Sequence, residues 1–73
     1  MQLLLLINAD KTSVLDLVNA LEKIPKILEV FPTFGRFDIA AFCEVNNMDE
    51  VRQLLKEVSM LNGIIKIEVL LEI

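Results

Sequence analysis

"KILEVFPTFGRFDIAAFCEV", residues 26–45, is the stretch that decides the fold. It holds two runs rich in β-branched and aromatic residues, "KILEVFP" (26–32) and "FDIAAFCEV" (37–45), the first closed by Pro32. Strands favour such residues, and proline marks a strand end or an edge. The spacer "TFGR" is short and contains Gly35, so the two runs read as an antiparallel hairpin.

Working outward on the N-terminal side, "QLLLLIN" (2–8) is a further strand ended by Asn8 and Asp10. In "DKTSVLDLVNALEKIP", Thr12 or Ser13 is placed to cap a helix, with Asp16 in the first turn, where the helix dipole favours an anion. Val14, Leu17, Val18, Leu21 and Ile24 recur at helical spacing, and Pro25 stops the run. On the C-terminal side, "NNMDEVRQLLKEVSMLNG" is the clearest helix. Asn47 and Glu50 have capping-box spacing, Met48, Val51, Leu54, Leu55, Val58 and Leu61 form its stripe, and Gly63 is a C-terminal stop. "IIKIEVLLEI" (64–73) is the last strand.

The order β-α-β-β-α-β is two βαβ halves joined by the hairpin. Right-handed crossovers make it an α+β, ferredoxin-like fold: an antiparallel four-stranded sheet with two helices on one face, the first and third strands central. Residues 1–73 form a single domain.

So short a chain buries only about 60% of the surface its unfolded form exposes, and domains of this size gain stability from disulfides, metals or association. Cys43 is the only cysteine and there is no histidine, so neither an intrachain disulfide nor a zinc site is expected, and no cofactor is implied. Association remains, and a composition 55% hydrophobic and 25% charged points to it. A net charge of −4 with scattered basic residues argues against direct nucleic-acid binding. "LLLLI" (3–7) is too short to span a bilayer and lacks the basic leader of a secretory signal, so a cytoplasmic chain with a reduced thiol is expected.

Strand side chains alternate between faces. In the last strand Ile65, Ile67, Val69, Leu71 and Ile73 share the face expected to meet the helices, opposite Ile64, Lys66, Glu68, Leu70 and Glu72. The central strands are apolar on both faces. Leu4, Leu6, Ala40 and Phe42, with Leu28 and Val30 from the second strand, are left on the side without helices. Burying these side chains at roughly 1.5–3 kcal/mol each yields on the order of 10 kcal/mol before association entropy, so a sheet-to-sheet homodimer is predicted.

At the hairpin, Asp38 falls on that open side and needs a cationic or hydrogen-bonding partner, which Arg36 two residues away supplies if the strand begins early. A free amino acid fits equally. Its ammonium suits Asp38, its carboxylate suits backbone N–H groups near Gly35 or the fork of Arg36, and its side chain would rest on Phe34.

From end to end the chain resembles the effector-binding (RAM) domain of Lrp/AsnC transcription regulators. The resemblance rests on the element order, on "GRFD" (35–38), a glycine followed three residues later by an aspartate with an aromatic before it, and on the glycine opening "NGIIKIEVLLEI". It implies a dimeric α/β barrel packed sheet to sheet, higher octamer-like rings, and an amino-acid effector bound between dimers near the hairpin. Carried over by match, Phe34, Gly35 and Asp38 contact the ligand, with Thr33, Arg36 and Phe37 beside them. Family members carry an N-terminal helix-turn-helix, whereas this sequence starts at the first strand, so a stand-alone version is expected. Members also often have Thr or Ser in the last strand, where "KIEVL" stands here.

The expected function is a small amino-acid-binding regulatory domain that oligomerises and modulates transcription by assembling with, or competing against, full-length Lrp/AsnC-type regulators. The alternatives are a purely structural oligomerisation module and, as a third class, a cofactor-free dimeric α/β-barrel enzyme. Without histidine, tyrosine or tryptophan no nucleophile–base arrangement can be drawn, so the chain is read as non-catalytic.

Overall fold

The computed structural model describes residues 1–72. Four strands and two helices follow in the expected order: β1 (Gln2–Ala9), α1 (Val14–Glu22), β2 (Ile27–Pro32), β3 (Ile39–Glu44), α2 (Met48–Ser59) and β4 (Ile64–Leu71). All strand pairings are antiparallel, and the spatial order β2-β3-β1-β4 places the first and third strands in the centre. The ferredoxin-like α+β architecture is therefore as expected.

One face of the sheet carries the core. Leu3, Leu5 and Ile7 of β1 and Ile39, Ala41 and Cys43 of β3 are at most 1% exposed, beneath Leu17, Val18 and Leu21 of α1 and Val51, Leu54 and Val58 of α2. The six helical residues follow the three- and four-residue spacing that lines one side of a helix. Cys43 lies within this core, where burial pushes its thiol pKa up to about 11.

Local chemistry explains the helix starts. Neither Thr12 nor Ser13 caps through its side chain. Instead Asp10 Oδ1 accepts from the Thr12 N–H (3.1 Å) and hydroxyl (3.0 Å), holding a 3-10 turn over Lys11–Ser13 that feeds α1. At α2, Asn47 Oδ1 accepts from the Glu50 N–H at 2.9 Å, a cap worth about 1 kcal/mol. The carboxylate of Glu50 reaches back to the N–H of Asn46 (2.9 Å) and to Lys26 (3.1 Å), tying the helix start to the chain leading into β2.

Two irregularities alter the strand faces. Between Asn8 and Ala9 the pairing with β4 slips, so that Lys66 lies opposite Asn8 but Ile64 lies opposite Ala9. Ile65 is the extra residue, and it is 70% exposed rather than under the helices, while Ile64 packs against the core with Ile67 and Val69. Leu71 is partly exposed, and Ile73, also assigned to the helix side, lies outside the described residues. A second slip between Ile27 and Glu29 makes Leu28 the extra residue of β2. A bulge of this kind flips every side chain beyond it. Val30 therefore pairs with Ala41 and packs against the core, contrary to its expected place on the open face, and Phe31 replaces it there opposite Ala40.

Candidate functional site

The face turned away from the helices is built from the register. Leu4 lies between Phe42 and Leu70, Leu6 between Ala40 and Glu68, and Phe31 and Glu29 extend these rows on β2. The Phe31 and Phe42 rings meet at 6.2 Å between centroids. Phe31, Phe42 and Leu70 remain 38–51% exposed, forming an apolar centre with acidic residues at two opposite corners. A shallow depression of about 200 Å³ opens on this face, lined mainly by Leu3, Leu4, Phe42 and Leu70, with Gln2 and Glu72 at its rim. Such a continuous apolar area on a small chain marks an interaction surface. Leu4, Leu6, Ala40 and Phe42 stand where expected. Leu28 is exposed at the edge, and Val30 is not part of the face.

The hairpin sits at one end of this surface. Its loop is closed by the Thr33 N–H donating to the Asp38 carbonyl (2.9 Å) and the Thr33 hydroxyl donating to the Phe37 carbonyl (2.8 Å). Asn8 of β1 donates its amide to the Arg36 carbonyl at 2.6 Å. Gly35 has φ +106°, a conformation that favours glycine, and open space lies above it. Phe34 is fully exposed beside it.

Asp38 is the one charged residue buried among the described residues, 8% exposed. Its Oδ2 accepts from the Ala9 N–H at 2.8 Å and its Oδ1 accepts from Lys11 Nζ at 2.5 Å. Lys11, not Arg36, is its cationic partner. The Arg36 guanidinium lies over the Phe37 ring, 5.7 Å from the centroid. Lys11 precedes Asp38 by 27 residues and opens the 3-10 turn that follows β1. The signal that could have found it was the unexplained lysine immediately after Asp10, next to the strand that pairs with β3. Of the sequence-derived ligand residues, Thr33 and Phe37 are thus occupied in shaping the loop, Asp38 is internally paired, and Phe34, Gly35 and Arg36 face outward.

The Lys11 ammonium and then the Ala9 N–H hold the Asp38 carboxyl below its ordinary pKa of 3.8, with burial opposing them. A folded-state pKa below the unfolded one adds stability that is complete above the ordinary value and is lost as the pH falls through the folded one. The thermal midpoint of Asp38→Asn should therefore lie below that of the unaltered protein at about pH 7, with the gap shrinking as the pH falls below 3.8. Melts across this range check it, and a gap independent of pH would remove the ionic role assigned to Asp38.

Among the described residues, no group of three or more His, Cys, Asp or Glu is placed to hold a metal ion, and no helix is long and apolar enough to cross a membrane.

The family model described as the Lrp/AsnC ligand binding domain matches residues 2–72. No curated protein matches the chain. Among solved structures, the protein TTHA0845 from Thermus thermophilus superposes with a TM-score of 0.94 at 23% identity, over 99% of this chain and 91% of that one. A transcriptional regulatory protein of the AsnC family from Pyrococcus furiosus superposes with a TM-score of 0.73 at 20% identity, over 94% of this chain but 47% of that one. A 5-chloro-2-hydroxyhydroquinone dehydrochlorinase from Burkholderia phenoliruptrix AC1100 is more distant, with a TM-score of 0.57 at 16% identity over 99% and 93% of the two chains. At these identities the superpositions establish a shared fold.

Proposed function

Because the chain belongs to the Lrp/AsnC ligand-binding domain family, a family of regulators, we propose that it is a regulatory domain that dimerises through the open face of its sheet, assembles further, and binds a free amino acid at the 33–38 hairpin. Ligand acts by differential contacts with alternative assemblies, shifting the population among them or toward full-length regulators of the same family. The observation that carries this reading is the apolar face centred on Leu4, Leu6, Phe31 and Phe42, in a domain whose family match runs from one end to the other. A two-fold interface covers that face with its own copy.

Regulation is favoured over catalysis by the chemistry of the face. The polar groups around its depression are one amide and one carboxylate, Gln2 and Glu72. Among the described residues, neither side chain hydrogen-bonds a nucleophile or a second titrating group, whereas an acid–base mechanism needs positioned proton donors and acceptors. The shared fold with a dehydrochlorinase does not transfer its chemistry, since function resides in the site.

The test is thermal denaturation of the assembled protein against each standard amino acid. A ligand at 100 times its dissociation constant adds about 2.7 kcal/mol, so one or a few members should raise the midpoint while the rest leave it unchanged. No shift with any of them would leave a purely structural oligomerisation module.

A further inference from the structure

The hairpin end of the sheet supplies hydrogen-bond donors, and its buried carboxylate is already satisfied. Both oxygens of Asp38 are engaged, by the Ala9 N–H and by Lys11. An incoming ammonium would have to displace Lys11 and enter a site that is 8% exposed. Lys11, in contrast, spends one of its three N–H bonds on Asp38, and its side chain remains 82% exposed. Arg36 extends from the same loop, and among the described residues no carboxylate pairs with it. Lys66 stands opposite Asn8 on β4. Lys11 and Arg36 thus stand at the hairpin end of a protein whose net charge is −4, with Lys66 two strands away from β3 across the sheet. Asp10, the nearest other anion in sequence, is turned to the Thr12 N–H and hydroxyl.

The loop backbone adds to this. Among the described residues, no N–H of residues 34–37 donates to a protein acceptor, and nothing lies within 4 Å of where a Gly35 Cβ would stand. A carboxylate offers only acceptors and an ammonium only donors. The chemistry that completes this end is the carboxylate.

We propose that Lys11, held in position by Asp38, receives the carboxylate of the effector together with the hairpin N–H groups, and that the effector's amino group is dispensable. The ligand class is then small carboxylic acids, α-keto acids included, with Asp38 a positioning residue. This rests on the reading of the hairpin as the effector site.

Calorimetric titration of the assembled protein tests it with three matched sets: alanine, pyruvate and alaninamide; leucine, α-ketoisocaproate and leucinamide; glutamate, α-ketoglutarate and isoglutamine. In at least one set the amino acid and the keto acid should bind within about ten-fold of each other, about 1.4 kcal/mol, while the amide binds at least ten-fold more weakly. Lys11→Met should weaken both acids ten-fold or more, and Lys11→Arg should retain them. Since Lys11→Met strands a buried carboxylate, the double variant Lys11→Met/Asp38→Asn is measured beside it, with the same loss expected. Amino acids that bind while their keto acids do not, amides that bind as well as acids, or unchanged affinity in both lysine variants would overturn the inference and leave the effector site standing. No binding in any set, nor in the matched set of any standard amino acid that raises the thermal midpoint, would overturn both.

Discussion

Gly63→Ala is expected to lower the thermal midpoint by about 12–24 °C, from a loss of roughly 3 kcal/mol at about 4–8 °C per kcal/mol for a domain of this size. Two costs add. Gly63 has φ +97°, where an L side chain costs roughly 1–2 kcal/mol. A Cβ there would lie 2.6 Å from Ser13 Cβ and 2.7 Å from its Oγ, and such overpacking costs roughly 1–3 kcal/mol. The Oγ can rotate away, but the Ser13 Cβ is fixed to a turn pinned from both sides. The Asp10 N–H donates to the Gly63 carbonyl at 2.8 Å, and the Ser13 N–H donates to the Asp10 carbonyl at 2.9 Å. Relieving the clash means pulling that first hydrogen bond apart. In a Ser13→Gly background the same substitution should cost only the backbone part. Gly35→Ala, with φ +106° and nothing nearby, is the matching control with that part alone. Calorimetric melts of the unaltered protein and the four variants (Gly63→Ala, Ser13→Gly, their combination and Gly35→Ala) decide it, and equal losses for Gly63→Ala with and without Ser13 would refute the steric account.

Phe42→Asp is expected to convert the proposed dimer to a folded monomer, raising its dissociation constant by at least about 1,000-fold, which is about 4 kcal/mol. Phe42 is 42% exposed within the single chain and meets only the tilted Phe31 ring among aromatics, so the fold does not depend on burying it. Across a two-fold interface each substitution counts twice, and a carboxylate on both sides meets an apolar centre already bordered by Glu29 and Glu68. Light scattering at micromolar concentration with circular dichroism as the fold check gives the answer. A persistent dimer with this substitution would place the contact on another surface.

Much of this was readable in advance because helical and strand periodicity are local signals. The stripes Leu17-Val18-Leu21 and Val51-Leu54-Val58 and the alternation Leu3-Leu5-Ile7 lie where their spacing put them. The bulges were not readable, since nothing in "KILEV" or "GIIKI" marks the extra residue. Whether Leu28 and Ile65 occupy a full step is decided by the pairing with β3 and β1. Each slip moved one set of side chains across the sheet, so Val30 went inward, Phe31 outward, and Ile64 exchanged places with Ile65. The hairpin residues were found by type, but the partner of Asp38 was not. Arg36 was the nearby cation along the chain, whereas β1 delivers Lys11 to the carboxylate from 27 residues away.

The buried thiol of Cys43 has a use beyond packing. It is the chain's only cysteine, 1% exposed, and with a pKa near 11 it stays protonated at neutral pH. Nucleophilic attack requires the thiolate, and a disulfide reagent finds none until the central strand is uncovered. The velocity of its modification therefore counts openings that uncover this central strand, one chromophore per molecule, with no engineered reporter.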